Sequence, residues 1–270
     1  MSAPMPHLGM GTWHMGESAA QRSAEVAALR AGIELGMRLI DTAEMYGDGR
    51  AEELVGEAIK GRREDVFLVT KFYPQHASRK ELVTACDRSL ERLGVDGIDL
   101  YLLHWRGRVP LEETVEGLER LVETGKVERW GVSNFDVPDM EELIAIAGGA
   151  NVFANQVLYN PARRGIEYDL LPWCEKHGVD VMAYSPLDEG ALAADRRLAT
   201  IGARLGVSAS QLALAWVLRQ ERVCAIPKAG RIEHVRANAK ARELAIDDET
   251  LREIDRIFPP PARKQRLEII

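Results

Sequence analysis

Apolar positions along this chain fall into two alternating patterns. Short, nearly continuous apolar runs read as strands: 8-LGMG-11, 38-RLIDT-42, 66-VFLVT-70, 98-IDLYLLHW-105, 127-VERWGVS-133, 152-VFANQV-157, 179-VDVMAYS-185 and 223-VCAIPK-228. Longer segments with helical spacing lie between them, near 22–36, 50–61, 78–92, 111–124, 136–147, 165–177, 192–205 and 208–220, with more helix over about 232–257. Two helical segments therefore separate the last two strands.

Punctuation residues agree with these boundaries. Ser78, with Glu81 three positions on, has the pattern of a capping box. Ser208 and Asp247 are placed to cap the helices that follow them. Gly94, Gly125 and Gly178 stand where their helices should stop. Runs such as 66-VFLVT-70 lack a polar face, which suits parallel strands covered by helices. Eight such strands alternating with helices predict an α/β fold, a (β/α)8 TIM barrel spanning residues 1–270 as one domain, with a loose tail from about 259. An open dinucleotide-binding sheet is the rival, but 9-GMGTWHMG-16 has its third glycine misplaced for that fingerprint.

Composition narrows the function. The 270 residues are 46% hydrophobic and 29% charged, with a formal charge of −7. The apolar share excludes disorder as the main state, and the negative balance speaks against a general nucleic-acid binder. Cys86, Cys174 and Cys224 are odd in number and widely spaced, as in a reducing compartment. The start of the chain shows no leader pattern and no window resembles a membrane span. The expectation is a cytoplasmic, monomeric protein.

In a barrel, chemistry gathers where strands end. The second strand ends in Asp41, followed by Tyr46 in 42-TAEMYGDG-49; the third ends at Lys71; the fourth ends in His104 and Trp105. Taken singly, each of these residues reads as a structural ion pair or a satisfied core histidine. The three neighbouring strand ends together present an acid, a lysine and a histidine at one rim. His7, His14, His76, His177 and His234 form no ligand-like cluster, so no metal is expected.

These residues, with 9-GMGTW-13, 131-GVSNF-135, 155-NQV-157, 184-YSPL-187 and 226-IPK-228, resemble the aldo-keto reductase family over nearly the whole chain. The likeness is to its compact bacterial members, which reduce 2,5-diketo-gluconate and methylglyoxal. It implies a catalytic tetrad of Asp41, Tyr46, Lys71 and His104. It implies NADPH as cofactor, with NADH possible, held by Thr12, Asp41, Ser133, Asn134, Gln156, Tyr184, Ser185, Pro186, Leu187, Lys228, His234 and Asn238. In that scheme Tyr46 is the general acid, eased by the Lys71 ammonium, which favours phenolate. Two departures stand out: His234 occupies the place of a usual arginine, and Ala237 that of a usual glutamate. The missing guanidinium predicts a weaker preference for NADPH.

Trp13, Tyr73 and Trp105, with Tyr46 and His104, are the expected substrate wall, to which Met15, Met45 and Phe135 are further candidates. Arg106 or Arg108 would favour an anionic substrate. The short loop 106-RGRVP-110 predicts an open pocket for small 2-oxoaldehydes, keto-sugars or aromatic aldehydes. Only residues 2–7 are available for the N-terminal hairpin that plugs the barrel in relatives, so an incomplete or absent plug is expected. Two rival functions are a non-catalytic, cofactor-sensing accessory protein of the same fold and a metal-dependent or phosphate-binding barrel.

Overall fold

The computed structural model describes residues 4–270. Eight parallel strands follow one another in sheet order: β1 (Gly9–Gly11), β2 (Leu39–Asp41), β3 (Phe67–Phe72), β4 (Ile98–Leu103), β5 (Val127–Ser133), β6 (Ala154–Leu158), β7 (Asp180–Tyr184) and β8 (Val223–Ala225). Parallel bridges Leu8–Ala225 and Gly11–Lys228 bring β8 back to β1, and the Ala225 N–H donates to the His7 carbonyl at 2.9 Å. The sheet is the expected barrel.

Among the described residues, ten helices surround it: α1 (Ala19–Glu34), α2 (Arg50–Ile59), α3 (Arg79–Leu93), α4 (Leu111–Glu123), α5 (Val137–Ala145), α6 (Leu170–His177), α7 (Arg196–Arg204), α8 (Ala209–Leu218), α9 (Ile232–Lys240) and α10 (Asp248–Ile257). Some predicted helices begin late. The stretch from 165 opens with a 3-10 turn, Gly165–Glu167, before α6. The stretch from 192 does the same before Asp195 starts α7, accepting from the Arg197 and Leu198 N–H groups. The last helical span breaks at extended Leu244 into α9 and α10.

Ser208 closes a capping box with Gln211, and Asp247 accepts from the Thr250 N–H at 2.8 Å. The box expected at Ser78 does not form. Its hydroxyl donates to the Glu81 carboxylate instead, which takes both side chains away from the backbone. Gly94 and Gly178 end α3 and α6 in the left-handed region that favours glycine.

Strand side chains alternate between two cores. The outward set packs under the helices. The inward set, including Leu39, Val69, Leu100, Leu102, Ala154, Met182 and Cys224, fills the barrel. No hairpin precedes β1 among the described residues; residues 2 and 3 of the expected plug lie outside them. Met5 joins the barrel-filling cluster, and the Arg129 guanidinium lies over the Phe67 and Phe153 rings, 4.9 and 4.4 Å from their centroids. These residues form the barrel floor. The tail lies along the barrel: Lys264 pairs with Asp169 at 2.9 Å, and Leu267 packs against the outer core.

No single helix among the described residues is long and apolar enough to cross a membrane. All three cysteines are buried free thiols, and burial pushes Cys86 and Cys174 up to about 12, where they are unreactive.

Candidate active site

Two residues beyond the barrel filling, the inward alternation continues into polar side chains. Leu39 is followed by Asp41, Val69 by Lys71, Ala154 by Gln156 and Met182 by Tyr184. Period two therefore aims these four groups at one point inside the rim.

Their contacts form a closed set. Lys71 Nζ donates to both Asp41 carboxylate oxygens, at 2.9 and 2.8 Å, and to the Thr42 carbonyl at 2.7 Å. Gln156 Nε2 reaches across the barrel to Asp41 Oδ1 at 2.7 Å. Burial pushes the Asp41 carboxyl up and the Lys71 ammonium down, while each one's charge opposes the shift in the other. Three acceptors around the ammonium and three donations to the carboxylate offset the desolvation that an isolated charge could not bear.

Tyr46 sits over this pair, with Lys71 Nζ 4.8 Å from its ring centroid. His104 stands beside it, ring to ring at 5.8 Å, and Trp13 packs edge-on at 4.8 Å. Burial, then the Asp41 charge, raise its phenol well above 10. The phenol is therefore a loaded proton donor rather than a half-ionised one. His104 is driven the other way, down to about 3, by burial and then by the Lys71 charge. Its imidazole is neutral at ordinary pH. Its Nδ1 is buried without a partner, leaving Nε2 as the nitrogen a substrate oxygen can reach.

A second polar group adjoins the first. Asn134, left-handed at φ 61°, donates from Nδ2 to Ser133 Oγ at 3.1 Å and to the His104 carbonyl at 3.2 Å. Its Oδ1 accepts from the Tyr184 hydroxyl at 3.0 Å. Burial pushes Tyr184 up to about 12, opposed by the backbone N–H of Ile270, so the chain's end lies at this ring. Ser185 and Pro186 follow, then Leu187, which packs on the core. Lys228 is exposed beyond β8 and has no ion-pair partner among the described residues, while His234 accepts from Arg231 at 2.9 Å. Asn238 is buried in α9. Thr12 is fully buried with its hydroxyl donated to the Asp41 carbonyl at 2.9 Å, so it fixes Asp41 rather than facing a ligand.

The residues expected in the pocket wall differ in exposure. Trp13 is 42% exposed, and Tyr73 and Trp105 are half-buried with ring centroids 6.0 Å apart. Met15 and Phe135 are instead wholly buried in the outer core, because their loops turn them under the helices. Arg106 is not a free anion receptor. Glu142 grips it through two contacts of 2.7 Å, with Asp139 at 3.5 Å.

Two residues were missed. Asn160, fully buried, donates to the Ser185 carbonyl at 2.9 Å and accepts from the Ala162 and Arg163 N–H groups. It holds Ser185 in its left-handed conformation at φ 44°. Glu44 joins two loops by accepting from the Tyr73 N–H and from His76. An acid two residues before the site tyrosine was the available signal for Glu44; an asparagine just past a strand was the signal for Asn160.

The barrel and this rim define an aldo/keto reductase. The model of the Aldo/keto reductase family matches residues 7–258, and the chain belongs to that family. It is 50% identical to methylglyoxal reductase YeaE of Escherichia coli (strain K12), over 98% of this chain and 95% of the relative. Glyoxal reductase of Bacillus subtilis (strain 168) is 33% identical, over 93% of this chain and 88% of its own. Among solved structures, an aldo/keto reductase from Klebsiella pneumoniae in complex with NADP and acetate is 53% identical with a TM-score of 0.97, covering 98% of this chain and 95% of that one. This protein is accordingly an NAD(P)H-dependent oxidoreductase. Nothing in these likenesses supports the cofactor-sensing accessory reading.

Proposed function

We propose that the protein reduces small 2-oxoaldehydes and related aldehydes to alcohols with NADPH, with Tyr46 as the proton donor. The observation that carries this reading is the buried Asp41–Lys71–Gln156 cluster directly beneath Tyr46, with neutral His104 at its side.

The residues present suit a nicotinamide dinucleotide. The Tyr184 ring is half-buried at the rim, the amide and hydroxyl groups of Asn134, Ser133 and Gln156 match a carboxamide, and Lys228 offers an unpaired cation for a phosphate. Ser185, Pro186 and Leu187 would pass the pyrophosphate, and Asn238 would meet the adenine. The bound cofactor supplies a hydride to the carbonyl carbon. Tyr46 holds its proton at Oη and delivers it to the carbonyl oxygen as negative charge develops there. His104 orients that oxygen through a neutral N–H. Asp41 fixes Lys71, which attracts the developing phenolate and so eases proton loss from Tyr46. Gln156 and Thr12 hold Asp41 in place.

The aromatic wall of Trp13, Tyr73 and Trp105 suits a small, partly apolar substrate. Relatives named methylglyoxal reductase and glyoxal reductase support the 2-oxoaldehyde class. The same reading takes residues 1–270 as one domain and the protein as a cytoplasmic monomer, which size-exclusion chromatography would check. To test the function, purified protein is mixed with NADPH and methylglyoxal or phenylglyoxal while the nicotinamide absorbance is followed. Loss of absorbance that depends on the aldehyde is expected. No turnover across a broad aldehyde panel would contradict the reading.

A further inference from the structure

Glu44 is a buried acid for which the mechanism above has no use. It is 8% exposed and stands two residues before Tyr46. Its Oε1 accepts from the Tyr73 N–H at 2.6 Å and from His76 Nδ1 at 2.8 Å, and its own N–H donates to the Lys71 carbonyl at 3.1 Å. One side chain thus ties the loop carrying Tyr46 to the loop carrying Tyr73. Its charge also reaches the wall: burial, then Asp48, then Glu44 raise the Tyr73 phenol.

His76 is the partner of that carboxylate, and Arg108 stands exposed in the loop after Trp105. Lys71 is spent on Asp41, and Arg106 is held by Glu142 and Asp139. Arg79 pairs with Glu116. A negative charge buried close behind an aromatic wall is poorly screened by salt and repels a second negative charge brought to the front of it.

We propose that Glu44 is a specificity-determining residue: it sets the position of the Tyr73 wall and biases the site toward uncharged carbonyl substrates over those bearing a carboxylate. The inference rests on the reading of Tyr73 and Trp105 as the substrate wall. Discrimination of this kind comes from a repulsive element and needs no new attractive contact.

The test compares 4-carboxybenzaldehyde with its neutral methyl ester, as kcat/KM with NADPH, in the wild type and Glu44→Gln. The amide keeps an oxygen for the Tyr73 N–H and removes the charge. The acid-to-ester ratio is expected to rise about fivefold or more in Glu44→Gln, chiefly through KM for the acid. Glu44→Asp, which keeps the charge but shortens the reach, is expected to retain the wild-type ratio while shifting KM for both substrates. An unchanged ratio in a folded Glu44→Gln overturns the proposal. So does a Glu44→Asp ratio that matches the amide. If Glu44→Gln does not fold, His76→Asn leaves the charge with its ring partner gone and is expected to lower the ratio; an equal or higher ratio contradicts the proposal. If the wild type turns over neither aldehyde, the reading of the site itself has failed, an outcome distinct from an unchanged ratio.

Discussion

His104 shows how burial selects a protonation state at a single residue. Its pKa lies near 3 in the fold against about 6.5 when unfolded. Between those values the unfolded chain binds a proton that the folded chain does not, so stability falls as pH drops from 6.5 toward 3. Between pH 7.5 and 5 this group alone should cost the wild type about 2 kcal/mol. His104→Gln lacks that contribution, and urea melts at the two pH values should show a smaller acid loss in the variant; equal losses would refute the assignment. In the same way kcat should show no titration near pH 6.5, because a neutral imidazole has no proton to gain there. That Asp41, Lys71 and His104 share one rim was legible from strand-end positions. Their protonation was not, because it depends on a bidentate contact and on burial that only the closed barrel creates.

At the level of elements, the strands were legible because apolar runs and period-two alternation are local. Their inward phase already carries Asp41, Lys71, Gln156 and Tyr184 to one point. Helix starts were less legible where a 3-10 turn precedes the helix, as before α6, since that choice depends on what the turn packs against. Beyond its place just past a strand, the anchoring role of Asn160 was not legible, because its partner Ser185 lies past a different strand. Asn160→Ala should free the Ser185 carbonyl and loosen the segment 185–190. The expected result is a KM for NADPH raised about tenfold with kcat little changed, the size of one lost buried hydrogen bond; an unchanged cofactor KM would count against that anchoring role. Gly131 in β5 tests strand spacing. A Cβ there would lie 2.3 Å from the Ala154 carbonyl oxygen, so Gly131→Ala should lower stability by roughly 2–3 kcal/mol in a thermal melt.

Over the whole molecule, the charge of −7 poses a problem for a phosphate-rich cofactor. The proposed solution is local: Lys228 stands exposed beyond β8 without an ion-pair partner among the described residues. Lys228→Met should weaken NADPH binding at least tenfold and NADH binding far less, as read by calorimetry; equal losses would remove Lys228 from the 2′-phosphate site. Closure of the barrel is what turns separated strand ends into one rim, and it depends on the floor of Met5, Phe67, Phe153 and Arg129 at the other end. The central claim is that Tyr46 delivers the proton. The most direct measurement pairs NADPH binding with single-turnover reduction of methylglyoxal in Tyr46→Phe. Binding within about twofold of wild type and a rate lower by roughly 10²–10⁴ are predicted; reduction at the parent rate would contradict the role assigned to this residue.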